Sequence, residues 1–442
     1  MSLQPPEKTR KLQAALHAKA KGSPGYRFYL LYDKVYREDV LAHAYERCKA
    51  NGGAAGVDGQ KFVDIETYGV ERWLGELAEA LRKKAYQPQA VRRVYIPKPD
   101  GTKRPLGIPT IRDRVAQTAV VLVLEPIFEA DLPPEQYAYR PGRNALDAVR
   151  KVHSLLNTGH TEVVDADLSA YFDSIPHAEL MKSVARRISD RHVLHLIKMW
   201  LEAPIEETDE RGNTHRTTRN RNERRGTPQG APISPLLANL YMRRFVLGWK
   251  KLGYEQRFRA HIVNYADDLV ICCRGSAVSA STAMQHLMER LALTVNTSKT
   301  RVCRVPDETF DFLGYTFGRC YSTRTGKAYL GTRPSRKRIA RLCRAIRGET
   351  ASRWVSTGAQ DRVARLNHML RGWANYFRLG YVTAAWQDVQ QHACRRLRWW
   401  LRRKHKEKAG QGEQYPDMQL YERWGLANLI RCVRRVPLWA KP

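Results

Sequence analysis

The sequence predicts a mixed body, α/β or α+β, followed by a basic helical domain. Three observations predict it. Between residue 86 and about residue 330, short β-type runs (91–96, 163–168, 262–272) alternate with helical stretches such as 114–129 and 235–249. Beyond Thr332 the composition changes: residues 331–442 hold 25 Lys and Arg against 7 Asp and Glu, together with seven of the ten tryptophans. Finally, 43% of the 442 residues are apolar, enough to bury about two or three cores.

Each segment follows from its local pattern. Residues 1–60 read as a helical N-terminal extension, with an apolar rhythm through Leu30, Val35, Val40 and Ala44 that the turn-forming run Asn51-Gly52-Gly53 closes. Residues 61–330 form the mixed body. Within it, 206–225 has no apolar rhythm and carries six arginines. That stretch reads as a surface excursion, either a solvated loop or a hairpin touching nucleic acid. Residues 331–405 read as a helical domain with a basic face, its tryptophans serving as core more often than as base-stacking platforms. A Gly-containing break at 409–412 introduces a short basic tail, 406–442.

Charge narrows the function. The 76 basic and 44 acidic residues leave a formal charge of +32 and a pI near 10. Self-repulsion of that size calls for a polyanionic partner, and nucleic acid is the first candidate. No window of eighteen uncharged apolar residues and no secretory h-region are present, so a cytoplasmic protein with no membrane partner is expected. The eight scattered cysteines lack CxxC pairs or zinc-type spacing, which suits a reducing compartment.

Two segments carry chemistry. Val163-Val164-Asp165-Ala166-Asp167 and Tyr265-Ala266-Asp267-Asp268-Leu269-Val270 put aspartates where apolar strands end or turn. Adjacent desolvated carboxylates are costly unless a cation neutralises them. Magnesium prefers oxygen ligands and leaves positions for substrate phosphates. If folding brings Asp167 beside Asp267, the pair can hold two ions about 3.5 to 4 Å apart, an arrangement suited to nucleotidyl transfer. Alone, an Asp-Asp pair in a turn is ordinary turn chemistry.

The ordered set of motifs is not ordinary. Tyr265-Ala266-Asp267-Asp268 resembles the YxDD motif of reverse transcriptases, and Asp167-Leu168-Ser169-Ala170-Tyr171-Phe172-Asp173 resembles their preceding metal-binding motif. The run from Ile96 to Thr110 and Tyr139-Arg140-Pro141-Gly142-Arg143-Asn144 resemble blocks of group II intron-encoded proteins. So do Gly226-Thr227-Pro228-Gln229-Gly230 and Phe312-Leu313-Gly314-Tyr315. Gly372-Trp373-Ala374-Asn375-Tyr376-Phe377-Arg378 is similar to the GWxNYxR signature of their maturase domain, and the Asn51 to Gly59 run to their leading block.

The resemblance implies an α+β right-hand polymerase, with fingers and an antiparallel palm sheet, followed by an α-helical thumb or maturase domain. It implies an RNA-directed DNA polymerase using two Mg2+ ions and dNTPs. Catalytic residues would be Asp167, Asp267 and Asp268, with Leu168 among the metal ligands. Arg92, Lys98, Arg104, Phe172, Gln229, Gly230 and Lys299 would bind dNTP. Phe172 would be the steric gate against a ribose 2′-hydroxyl, with Tyr171 a one-residue register alternative. Arg336, Lys337, Arg338, Arg371, Trp373, Arg378, Arg402 and Arg403 would bind RNA.

Implied partners are group II intron RNA, an RNA template with a DNA primer, and a DNA target, in splicing and retrohoming. After Arg403 only His405 and Cys432 remain as histidine and cysteine, so no endonuclease is expected, as in the class C branch. Ser169, Ala231 and Tyr139 depart from the common family pattern without removing a metal ligand. Two alternatives stay open: a domesticated enzyme without an intron, and an RNA-binding splicing cofactor with a silent polymerase.

Overall fold

The computed structural model describes residues 3–97, 101, 103–209, 211–322, 325–407 and 415–433. Its class is α+β. The palm sheet is built from β3 (Glu162–Asp167), β6 (Ala260–Tyr265), β7 (Asp268–Cys273) and β8 (Arg301–Arg304), in the order β6-β7-β3-β8 with every pair antiparallel. Side chains alternate between the faces of a strand, and the sheet uses both. Val164, Ala166, Ile262, Leu269 and Ile271 enter a core shared with helices Ile111–Glu129 and Ser234–Lys251. Val163, Val263, Val270, Cys272 and Cys303 enter a second core with helix Ala145–Asn157 and the aromatic run Phe310, Phe312, Tyr315 and Phe317. Apolar residues on both faces explain why these strands read as near-continuous hydrophobic runs.

Helix Ile111–Glu129 is buried around nearly its whole circumference, from Ile111 to Phe128. A helix apolar on all sides sits at the centre of a core. Helices Glu7–Gly22 and Glu38–Asn51 pack against it, burying Leu16, Ala20, Val40, Leu41, Ala44 and Tyr45 in the same cluster. The N-terminal residues therefore share the core of the body.

The fingers sheet has the order β2-β1-β4-β5, with β1 Val91–Pro97, β2 Lys103–Ile108, β4 Ile205–Thr208 and β5 Thr214–Thr217. Strands β1 and β2 form an antiparallel pair, while β4 runs parallel to β1 with Val91 opposite Ile205. Within 206–225, β4 and β5 pair antiparallel as a hairpin, from Ile205 opposite Thr217 to Thr208 opposite Thr214. Every residue of β5 is exposed, so no alternation marks it in the sequence, and its pairing rests on main-chain hydrogen bonds to an edge.

A third sheet, β9 (Phe310–Phe312), β10 (Tyr315–Tyr321) and β11 (Ala328–Pro334), leads into the helical domain. There, helices Arg336–Glu349, Ala359–Tyr376 and Thr383–Lys404 bury Leu342, Ile346, Leu366, Leu370, Trp386, Leu397 and Trp400. Trp386 and Trp400 are core residues, as helical spacing predicted. The boundary expected at 405/406 is not a boundary in the packing: Tyr415, Leu420, Leu426 and Leu429 close the same core. A short segment with apolar residues at helical spacing has no core of its own and stabilises itself on the nearest one. Among the described residues, no helix is long and apolar enough to cross a membrane.

Candidate active site

The aspartates meet through strand register. In the β3–β7 pair, Asp167 lies opposite Asp268 and Ala166 opposite Leu269. In the β6–β7 hairpin, Tyr265 pairs with Asp268, leaving Ala266 and Asp267 as a two-residue turn. Such turns need left-handed backbone, and Ala266 adopts it at φ +58. An alanine there is strained and must be held. Asn264 holds it: its buried Nδ2 donates to the Ala266 carbonyl at 2.9 Å and the Asp268 carbonyl at 3.3 Å. The Leu168 N–H donates to the Asp267 carbonyl at 3.3 Å, tying the turn to the end of β3.

Period two places Asp165 and Asp167 on the same face as Val163, and Asp268 on the face of Val270, so this end of the sheet is acidic. Burial pushes the Asp268 carboxyl up to about 7, and Asp267, Asp167 and Asp165 add to the effect. Asp267 is also raised, by burial first and by Asp167 next, with Arg104 and Lys299 opposing. Asp165, raised by burial to about 6, is steadied by Arg301 at 3.4 Å. Lys299 Nζ sits 3.1 Å from Asp167 Oδ2, and Asn296 Nδ2 donates to the same oxygen at 3.2 Å. Lys299 thus contacts a metal-ligand candidate, whereas a dNTP contact was expected of it.

These donors fit a hard divalent cation. All are oxygens, and the raised Asp267 and Asp268 carboxyls show that positive charge at this point would be stabilising. Among the described residues no group of three or more His, Cys, Asp or Glu side chains is placed to hold a metal ion by itself. Magnesium does not require one, since it retains waters and takes phosphate oxygens beside one or two carboxylates. Leu168 is 3% exposed and has no side-chain donor, so its main-chain carbonyl is all it offers a metal.

A cleft of about 490 Å³ is lined among others by Arg47, Arg104, Arg114, Tyr139, Phe172, Gln229 and Gly230, and of these Arg104 and Tyr139 are within electrostatic reach of Asp267. Arg104 Nε donates to Gln229 Oε1 at 3.1 Å, and Gln229 Nε2 donates to Asp173 Oδ2 at 2.9 Å, linking fingers to palm. The Gly107 N–H donates to the Gln229 carbonyl at 2.6 Å. Gly230, at φ +112, lies so close that a Cβ would stand 2.6 Å from the Gly107 carbonyl oxygen; glycine is required by both backbone shape and approach.

Phe172 lines the cleft, while Tyr171 is buried behind it with its hydroxyl on the Ala238 carbonyl at 2.6 Å. Of the two register alternatives, Phe172 is the ring on the cleft wall. Arg92 is engaged elsewhere: its guanidinium donates to the Ala55 carbonyl at 2.6 Å, and with Arg114 it anchors the glycine-rich 52–55 loop. Lys98 lies outside the described residues. Sequence reasoning missed the role of Tyr139, which projects over the site at φ +54. Its ring is 6.5 Å from Phe172, and burial followed by the nearby Asp267 raises its phenol. A bulky residue in a left-handed bend leaves no signal in a sequence.

The residues expected to bind RNA divide in two. Arg336, Lys337, Arg371 and Arg378 are exposed on the helical domain. Arg403 is exposed too, but it stacks over Trp399 at 4.3 Å and donates to Ser352 Oγ, while Arg402 is half-buried. Arg338 lies beside Gly314. Trp373 packs 4.9 Å from Phe377 and contacts both the second palm core and the thumb core, a joint between domains.

Comparison with known proteins agrees with this geometry. Residues 96–317 match the reverse transcriptase (RNA-dependent DNA polymerase) family, and residues 339–415 match the group II intron maturase-specific domain. Protein YkfC of Escherichia coli strain K12 is 33% identical over 364 residues, 74% of this chain and 92% of YkfC. The group II intron-encoded protein LtrA of Lactococcus lactis is 33% identical over 228 residues, 50% of this chain and 36% of LtrA. An uncharacterized 91 kDa protein in the cob intron of Schizosaccharomyces pombe is 24% identical over 420 residues, 79% of this chain and 50% of that protein. With a polymerase match over half its length, a maturase match on the helices that follow, and one relative covered almost end to end, this chain belongs to the group II intron-encoded reverse transcriptase/maturase family of RNA-directed DNA polymerases.

Proposed function

We propose that the protein copies RNA into DNA by two-metal nucleotidyl transfer at Asp167, Asp267 and Asp268. Its helical domain grips the group II intron RNA that it helps to splice and carry to a new DNA site by target-primed reverse transcription. The observation that supports the polymerase reading best is the register that sets Asp167 opposite Asp268, with Asp267 in the turn and within electrostatic reach of Arg104, a residue of the basic cleft.

In this reaction the 3′-hydroxyl of the growing strand attacks the α-phosphorus of a dNTP. One P–O bond forms, the bond to the β-phosphate bridge breaks, and pyrophosphate leaves. Divalent ions held by the three aspartates and the Leu168 carbonyl supply Lewis-acid activation and charge neutralisation when bound. Arg104, on a fingers strand, meets the triphosphate and offsets charge building on the leaving group. Gln229 holds Arg104 from one side and Asp173 from the other, so the guanidinium arrives pre-oriented. Phe172 fills the floor where a ribose 2′-hydroxyl would project. The exposed Arg336, Lys337, Arg371 and Arg378 attract RNA phosphates by counterion release.

Primer extension on poly(rA)/oligo(dT) with magnesium tests the assignment. The wild-type protein extends and Asp267→Ala does not. Extension that survives in Asp267→Ala removes the site from these carboxylates.

A further inference from the structure

An amide stands in the core where strand alternation calls for an apolar side chain. Along β6, Ala260 and Ile262 enter the first core, and period two puts Asn264 in line with them, 1% exposed. Both of its side-chain donations serve one turn: Nδ2 donates to the Ala266 and Asp268 carbonyls, on either side of Asp267. Its Oδ1 is buried and has no hydrogen-bond partner among the described residues. A buried acceptor left unpaired is destabilising and asks for an explanation. The two donated bonds supply it: the residue serves through its donors.

Two more buried amides hold this strand end from behind. The Asn264 N–H donates to the Glu135 carbonyl at 2.9 Å and the Asn264 carbonyl accepts from the Tyr137 N–H at 3.0 Å, so Gln136 lies beside Asn264 as a parallel bridge. Fully buried Gln136 donates through Nε2 to the Asn239 carbonyl at 3.0 Å, and Asn239 Nδ2 donates to the Ala138 carbonyl at 2.7 Å. Asn239 belongs to helix Ser234–Lys251, whose first residue donates its hydroxyl to the Pro228 carbonyl at 2.9 Å. One helix and a chain of buried hydrogen bonds thus run from the 226–230 block, through segment 135–138, to the turn that carries Asp267. Inside a core such bonds are stronger than in water and reinforce one another.

Resting on the polymerase reading above, we infer that Asn264 is a positioning residue for nucleotidyl transfer: by clamping the backbone before and after Asp267 it holds an alanine in left-handed conformation and fixes how Asp267 and Asp268 face Asp167. Gln136 and Asn239 tie that turn to the block that carries Gln229 and Gly230, so the carboxylates and the cleft keep one spacing. Carboxylates that share ions tolerate little error, since a misplacement of about 1 Å lowers a rate about a hundredfold.

Asn264→Leu tests this in the full-length chain, because leucine keeps the shape and removes the donors. Extension of poly(rA)/oligo(dT) is followed while magnesium, dTTP and primer–template are varied separately, below the melting temperature of each protein. The variant is expected to lose about tenfold or more in kcat and to need several-fold more magnesium for half-maximal rate. KM for dTTP and for primer–template stay within about twofold, as when an interaction matters in the transition state alone. Ala266→Gly separates positioning from a merely structural role. Glycine adopts the left-handed turn unaided, so in that background the loss of kcat on Asn264→Leu shrinks to about threefold or less. Asn264→Ala replaces the leucine variant in the same cycle if leucine does not fold. If the wild-type protein extends no primer, the polymerase reading itself fails, and this role with it. If the wild type extends and Asn264→Leu keeps its kcat and magnesium dependence, or loses as much kcat in the Ala266→Gly background as without it, the positioning role alone is overturned.

Discussion

Removing the charge at Asp268 is expected to stabilise the metal-free protein at pH 8. The Asp268 carboxyl stands at about 7 against an ordinary value of 3.8, chiefly through burial and then through its acidic neighbours. At about 1.4 kcal/mol per pH unit, that displacement bounds the penalty on the ionised form near 4 kcal/mol. Partial access to water reduces the realised figure to roughly 2 kcal/mol. The sign is the reverse of a salt-bridged aspartate. Between pH 3.8 and about 7 the folded state retains a proton that the unfolded state has released, so stability falls as pH rises through that window and stays low above it. Asp268→Asn lacks the penalty. Thermal melts in EDTA at pH 5 to 8 therefore give a difference between variant and wild type that grows with pH, reaching roughly 2 °C at pH 8. Adding magnesium at pH 8 raises the melting temperature of the wild type more than that of the variant. A difference that is flat from pH 5 to 8 refutes the placement of a desolvated carboxyl cluster here.

Three further outcomes are expected. Phe172→Ala opens the cleft floor and raises incorporation of ribonucleotides relative to deoxynucleotides by about tenfold or more, measured by competitive single-nucleotide extension; unchanged sugar selectivity excludes it as the gate. Gly230→Ala forces a Cβ against the Gly107 carbonyl at a left-handed position and lowers stability by about 1–3 kcal/mol, with KM for dNTP rising in the same variant; a melt and a kinetic titration check both. Replacing exposed Arg371 and Arg378 together by alanine weakens intron RNA binding and lowers the slope of log affinity against log salt by about 1 to 2, while short-template extension persists. Equal losses of the two activities would deny the helical domain a separate RNA-binding face.

Much of the site was legible along the chain, because its pieces are short and their chemistry is dense. An Asp-Asp pair between apolar runs, a glycine in the 226–230 block and an aromatic a few residues after Asp167 are each recognisable within a short window of the chain. Positions whose task is set by distant neighbours were not legible. Arg92 has the residue type for a phosphate clamp, yet its guanidinium is used by the Ala55 carbonyl. Trp373 and Tyr376 sit in an RNA-domain signature and serve the palm junction. Strand β5 has no buried face and so no pattern.

What the sequence by itself determined is the inventory: a strongly basic chain, a mixed body ahead of a helical domain, and carboxylates placed at strand ends by period-two alternation. Those properties depend on composition and on contacts within a turn or a strand. Only the tertiary structure decided that Asp167 and Asp268, on the order of a hundred residues apart, share one rung of a sheet, that Phe172 rather than Tyr171 meets the cleft, and that the thumb is bolted to the turn at Leu313 through the Tyr376 hydroxyl. Such pairings are chosen by the burial of two opposite core faces at once, a collective energy that no local window of residues contains.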